Sequence, residues 1–244
     1  MLSYCINRLS AYTVLSSAEK SALKDAVESE RHYAKGDHIV SAGSEPKGIH
    51  IIYSGWASRY KLLDNGQEHI MAYLIPGDMC DIHITLLTRM DHSIRAETSV
   101  TAGIIKNESV DQILWQYPRL ARALFWSMMV DESITREWLI NLAGRSAEVR
   151  IAHLFCEMLV RSKVAGLTQD DSFYFPLNQV KISDTMGLTP VHTNRVLQGL
   201  RKKDLLLFKQ KYVQIPDWKR LKEFANFNDD YLHMYLAEKQ KHSS

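Results

Sequence analysis

The sequence predicts an α+β multidomain chain: an N-terminal antiparallel β jelly roll, one long helix, and a C-terminal winged helix-turn-helix. Three observations predict it. Turn signals recur every few residues between 36 and 105. Glycine is absent from 110 to 143 while apolar residues fall at helical spacing. Residues 177–211 combine two short helical patterns around a glycine with a concentration of Lys and Arg.

The totals set the frame. Of 244 residues, 45% are hydrophobic and 24% charged, which suits a globular protein with enough chain for two separate cores. No apolar run reaches the ~20 residues of a membrane span. The start, MLSYCINRLSAY, has no basic stretch followed by an apolar core, so a cytoplasmic protein with no membrane partner is expected. Cys5, Cys80 and Cys156 lie too far apart for a disulfide framework or a zinc or iron–sulfur quartet, and reduced thiols are expected.

Taken in order, helices at 17–30 precede the β region. Gly36-Asp37, Gly43-Ser44, Gly48, Gly55, Asn65-Gly66 and Pro76-Gly77-Asp78 punctuate that region. Between them lie the short strand candidates HIV, IHIIYS, ASRYKLL, HIMAYLI and RAETSVTAGII. Asn65-Gly66 between alternating segments predicts a hairpin in which both turn residues accept positive φ. Many short strands at regular spacing suit a sandwich or jelly roll.

Pro118 is placed to open a long helix, because proline is tolerated in a first turn. Leu120, Leu124, Ser127, Asp131, Ile134 and Trp138 follow a 3-4 spacing, a partly polar seam that predicts packing against the same helix of a second copy in a homodimer. Gly144-Arg145-Ser146 breaks the pattern and predicts a hinge. A second helix, SAEVRIAHLFCEMLVRSKVAG, leads through polar LTQDDS to a short strand, FYFPL.

The most informative stretch follows. Asn178 can cap a helix over 179–186, Gly187 can end it in a left-handed conformation, and Thr189 with Pro190 can start another. Helix, glycine turn and capped helix make a helix-turn-helix. Val196, Leu197 and Leu200 would anchor the second helix. Val191, His192, Asn194, Arg195 and Gln198 would face outward near its N-terminal end, the part that enters a DNA major groove in such motifs. Arginine can fork onto guanine O6 and N7, and Asn or Gln can pair with adenine. LLLFKQKYVQI reads as a two-stranded wing. Over 177–211 the basic residues exceed the acidic by five charges, more than the +2 of the whole chain. Thr189, Lys181, Arg201, Lys202, Lys209 and Lys211 are the expected phosphate contacts on a double-stranded DNA operator.

This order of parts resembles the Crp/Fnr family of bacterial transcription regulators over about residues 15–216, most specifically in ISDTMGLTPVHTNRVLQGLRKKDLL and YSGWASRYKLLDNGQEHIMAYLIPGD. The resemblance implies a cyclic-nucleotide-binding-like jelly roll, a homodimer on an inverted repeat, a small-molecule effector and contacts with RNA polymerase. On that frame residues 1–109 are the N-terminal helices and sensor, 110–145 the dimerisation helix and hinge, 146–216 the DNA-binding domain, and 217–244 a helical extension. Cyclic-AMP binders of the family carry Gly-Glu-Leu after the PGD turn and then Arg-Ser. Here Asp81, Ile82 and His83 stand at the first site and His92-Ser93 at the second, so control by a different effector is expected. The oxygen-sensing branch uses an N-terminal cysteine cluster, which Cys5 alone does not supply. That branch also has a glutamate where this chain has Val191, which packs on a thymine methyl rather than accepting from cytosine.

Arg59, Arg95, His83 and His92 are the candidate effector residues, with surface ion pairing as the competing role of the arginines. Haem or metal at Cys80 and His83 is not expected, because a single Cys80-x-x-His83 pair would point to opposite faces of a strand and presents no ligand set; no cofactor is expected. A cupin-like metal enzyme would need clustered His and Glu, such as His-x-His, which do not occur, so the chain is not expected to be an enzyme. A regulator with a degenerate sensor, controlled by its abundance, is the alternative.

Overall fold

The structure is a computed structural model and describes residues 2–80, 82 and 86–234. They fall into two compact units. One holds residues 2–61, 72–132 and 233–234, and the other Leu62–Met71 with Ser133–Leu232.

In the first unit, helices α1 (Ser3–Ser10) and α2 (Ser17–Asp25) precede the strands. Ser16 caps α2 in a reciprocal box: its hydroxyl accepts from the Glu19 N–H, and the Glu19 carboxylate accepts from the Ser16 N–H at 2.7 Å. The expected helix over 17–30 stops at Asp25, and β1 (Ser29–Tyr33) takes the rest. Two four-stranded antiparallel sheets form the jelly roll. One runs β1, β8 (Val100–Ile105), β3 (Ile49–Ser54), β6 (Met79–Cys80). The other runs β2 (His38–Val40), β7 (Ser93–Ala96), β4 (Ala57–Leu62), β5 (Glu68–Leu74). Both sheets feed one core, which takes Tyr33 and Ile52 from the first and Ile39, Ala57, Leu74 and Ile94 from the second.

The segment RAETSVTAGII divides between β7 and β8 because Glu97 and Thr98 both turn their N–H groups to the Trp56 carbonyl. Gly55 (φ 83°) sits against that turn, where any Cβ would strike the Ser99 carbonyl. The β4–β5 tip also differs from expectation. Gly66 (φ 80°) has positive φ and Asn65 does not, and the Gly66 N–H bonds to the Leu63 carbonyl at 2.8 Å. This is a turn closed by a glycine bulge rather than a two-residue turn.

Helix α3 (Asn107–Gln116) ends at Tyr117 (φ −128°, ψ 77°), because the residue before Pro118 is forced out of the helical region. Pro118 then opens α4 (Pro118–Gly144), whose residues divide between the two units at 132/133. The expected dimer seam faces the wrong way. Leu120, Leu124, Ser127, Ile134 and Trp138 are buried within the chain, and Asp131 lies 3.5 Å from Arg8 and 4.0 Å from Arg59. A helix of 27 residues carries several 3-4 rows, and this one packs against its own chain. The row Arg122, Phe125, Met129, Glu132, Arg136, Leu139 and Ala143 has the same spacing and is exposed throughout.

In the second unit, α5 (Ala147–Ala165) is buried on every side from Ile151 to Ser162, which is why its sequence shows no amphipathic period. Ser146 caps its start and Gly166 (φ 81°) its end. Around it lie β9 (Thr168–Gln169), β10 (Ser172–Tyr174), α6 (Gln179–Met186), α7 (Pro190–Lys202), β11 (Leu207–Lys209), β12 (Tyr212–Gln214) and α8 (Trp218–Phe224), then a 3-10 turn at Asp230–Leu232. The third sheet runs β11-β12-β10-β9, so the expected wing is half of a four-stranded sheet. Among the described residues no helix is long and apolar enough to cross a membrane.

Candidate nucleic-acid interface

Local chemistry places α6 and α7 as the sequence predicts. The Asn178 side chain accepts from the Lys181 N–H at 3.0 Å, and the Thr189 hydroxyl accepts from the His192 N–H at 3.2 Å. Gly187 (φ 61°) ends α6, and Arg150 donates to the Met186 carbonyl at 2.8 Å, placing a cation on the C-terminal end of that helix. Ile182 and Met186 of α6, with Thr193, Val196, Leu197 and Leu200 of α7, are buried, which fixes the rotation of α7 about its axis.

That rotation decides which side chains face out. Val191 is 72% exposed, and His192, Arg195 and Gln198 are exposed beside it, with Asn194 half-buried. Asn194 is held from two sides: its Oδ1 accepts from Gln179 at 3.2 Å and from Gln198 at 3.5 Å. Gln179 is a member of this face that sequence reasoning missed. Nothing in a first-turn glutamine of α6 signals that it will meet α7; only the angle between the helices brings them together. A cleft of about 470 Å³ adjoins the polar side chains, with Val180, Ile182, Leu197 and Phe208 in its lining and Arg201 at one side.

The expected phosphate contacts separate into two groups. Arg201, Lys202, Lys209 and Lys211 are exposed. Thr189 spends its hydroxyl as the α7 cap, and Lys181 lies 3.5 Å from the Glu68 carboxylate. The wing turn, Gln210-Lys211, has φ of 48° and 66°, a left-handed pair built without glycine. Tyr174 and Tyr212 meet edge to face at 5.5 Å on neighbouring strands behind it.

The candidate effector residues do not gather into a cation cluster. Arg95 stacks over the Tyr60 ring at 4.6 Å and lies 3.4 Å from Glu97, whose carboxylate also accepts from the buried Ser58 hydroxyl at 2.6 Å. Arg59 lies toward Asp131. His92 is buried with Nδ1 at 2.7 Å from Asp91, and this hydrogen bond, reinforced by Lys61, holds the Asp91 carboxyl at a pKa of about 2. Among the described candidates each arginine is thus matched by a carboxylate, unlike the open cation that a cyclic phosphate takes. His83 and Asp81 lie outside the described residues. Cys80 is buried in β6, and burial pushes the Cys5 thiol up to about 12, which suits unreactive thiols. Among the described residues no three His, Cys, Asp or Glu side chains converge as a metal site.

Comparison with known proteins supplies the family. The cyclic nucleotide-binding domain matches residues 30–117 and the Crp-like helix-turn-helix domain matches residues 149–224, leaving residues 225–244 beyond both. The chain is 24% identical to the fumarate and nitrate reduction regulatory protein of Vibrio cholerae over 227 residues, 92% of this chain and 90% of that protein. It is 22% identical to the transcriptional activator protein Anr of Pseudomonas protegens, over 82% of this chain and 81% of that one. FixK2 from Bradyrhizobium japonicum shares the fold, with a TM-score of 0.72 over 80% of this chain and 96% of that chain at 21% identity.

Proposed function

The chain belongs to the Crp/Fnr family of transcription regulators, not to an enzyme family, and from that premise we propose that it acts as a homodimer reading an inverted-repeat operator under control of an effector other than cyclic AMP. The observation that carries the DNA-reading part is the outward face of α7, with Val191, Asn194, Arg195 and Gln198 on one side of a helix anchored by its opposite side. Arg195 forks onto guanine, Asn194 and Gln198 reach adenine, and Val191 packs on a thymine methyl. Arg201, Lys202, Lys209 and Lys211 position the duplex through phosphates, with Thr189 and Lys181 at the edge of the contact.

The dimer is assigned to the exposed row of α4. Phe125, Met129 and Leu139 supply apolar contact, and Glu132 with Arg136 give the middle of the seam a charged register mark. A second copy presenting the same row closes this face with two-fold symmetry. RNA polymerase is assigned to two segments, the exposed tip 64–67 and the turn 168–172, where Gln169 and Asp170 are exposed. No haem, metal or other cofactor is assigned; Cys80 is buried in the core shared by the two sheets. Arg59, Arg95 and His92 each lie beside a carboxylate, which speaks against a simple phosphate monoester as the effector.

Selection of bound sequences from random duplex DNA tests the proposal. An inverted repeat with guanine and adenine in each half-site is expected. Enrichment of no sequence, or of single unpaired half-sites, would overturn the dimeric operator.

A further inference from the structure

The second unit contains a buried ionic cluster that DNA reading does not use. Glu157, fully buried in the middle of α5, receives hydrogen bonds from three segments. Trp138 Nε1 of α4 donates to Oε2 at 2.9 Å, the Tyr231 hydroxyl of the C-terminal extension donates to the same oxygen at 3.0 Å, and Arg161 one turn along α5 donates to Oε1 at 3.1 Å. Burial pushes the carboxyl above its ordinary range against the pull of these partners, so each one matters to holding it. Removing one partner from a buried charge leaves an uncompensated group, which makes such a cluster close to all-or-none.

A second layer joins the same three segments. The Tyr231 ring stacks on His153 (6.0 Å, 18°), and Phe227 meets His153 edge-on at 4.9 Å. His153 Nδ1 accepts from Asn141 of α4 at 3.0 Å, and Asn141 accepts from Arg145 at 2.7 Å. The extension is aimed there by its own local structure. Asn226 (φ 47°) ends α8, the Phe227 N–H returns to the Lys222 carbonyl at 3.0 Å, and Lys222 pairs with Asp229 at 2.8 Å.

We propose that residues 225–232 form an internal strap that ties the last turns of α4 to α5 through the Glu157 carboxylate, and that seating of this strap sets how firmly the DNA-reading unit is held on the end of the long helix. The second clause rests on the DNA-binding proposal; the first does not. A strap of this kind stiffens the segment on either side of Gly144, so that motion there requires breaking the cluster rather than turning a free hinge.

Hydrogen exchange on the full chain, followed at the amides of 137–145 and of 190–202, separates the outcomes. In Tyr231→Phe, exchange over 137–145 is expected to rise about tenfold, with 190–202 unchanged and operator affinity lowered. A chain ending at residue 225 should show the same effect more strongly. If that chain does not fold, Tyr231→Phe decides alone. Unchanged exchange at 137–145 would overturn the strap, as would an equal rise in both segments, which would make Tyr231 ordinary core. Faster exchange with undiminished operator affinity would overturn its role in DNA binding. Failure of the unaltered protein to bind any selected operator would strike the proposed function instead, while the exchange result still judged the strap.

Discussion

At the scale of single residues, exposure and pairing separate the roles of the basic side chains. Arg195 projects from the outer face of α7, so Arg195→Ala should cost about 1–3 kcal/mol on the selected operator and much less on unrelated DNA. Equal losses in a binding titration would make it a phosphate contact. Lys202→Ala and Lys209→Ala should instead weaken all sequences alike and reduce the salt slope by about one unit. His153 carries a different prediction. Arg145 fixes the Asn141 amide so that Nδ2 faces His153 Nδ1, which leaves the ring proton on Nε2, 3.3 Å from Glu137. Burial first, then the Arg145 guanidinium, hold the His153 pKa down at about 3. The unfolded chain, with its histidine near 6.5, takes up the proton first. Stability is therefore whole above about pH 6.5 and falls as pH drops toward 3, by about 1.4 kcal/mol per unit. Denaturant unfolding at pH 6.5 and 4.5 should show the protein losing about 2–3 kcal/mol more than His153→Gln over that interval. Equal losses would show that the ring is not held neutral.

At the scale of elements, α4 shows how a helix is read correctly in extent and wrongly in direction. Its start at Pro118 and its end at Gly144 follow from local chemistry, but which row packs inward depends on partners far along the chain. Leu124 is enclosed, so a charge there should unfold the first unit instead of separating a dimer. A charge at Met129 or Leu139, the latter 67% exposed, should leave the fold intact and shift sedimentation toward monomer, with operator affinity lost through bivalency. Monomers of the unaltered protein at micromolar concentration would remove this seam. In the wing, Gln210 and Lys211 hold left-handed backbone that a glycine adopts without strain. Gln210→Gly should thus be neutral or stabilising by thermal melting, whereas a β-branched residue there should destabilise.

At the scale of the whole molecule, the β domain that matches a cyclic nucleotide-binding domain holds its described arginines Arg59 and Arg95 against carboxylates. The match over residues 30–117 is to the fold, and a cyclic phosphate needs an unpaired cation with free backbone N–H groups. His92 is engaged with Asp91, and Arg95 with Glu97 and Tyr60. Cyclic AMP and cyclic GMP should bind no more tightly than about millimolar, because losing a charge-assisted contact alone costs about ten- to hundred-fold. Micromolar binding by calorimetry, with a matching rise in operator affinity, would show that Arg95 or Arg59 leaves its carboxylate to hold the phosphate.

What the sequence determined by itself is everything written in short-range chemistry. Asn178, Gly187, Thr189 and Pro190 set the bounds of α6 and α7 through bonds spanning three or four residues, and the break at Pro118 likewise acts locally. The outward face of α7 was legible for the same reason, since one buried side of a capped helix implies the other. Tertiary structure alone decided which row of α4 lies inward, that Gln179 reaches Asn194, and that Tyr231 closes on Glu157, 74 residues away. Those contacts join segments whose separation in sequence carries no periodic signal. Their cost is chain entropy and their gain is burial and pairing, which exist only once the units have packed.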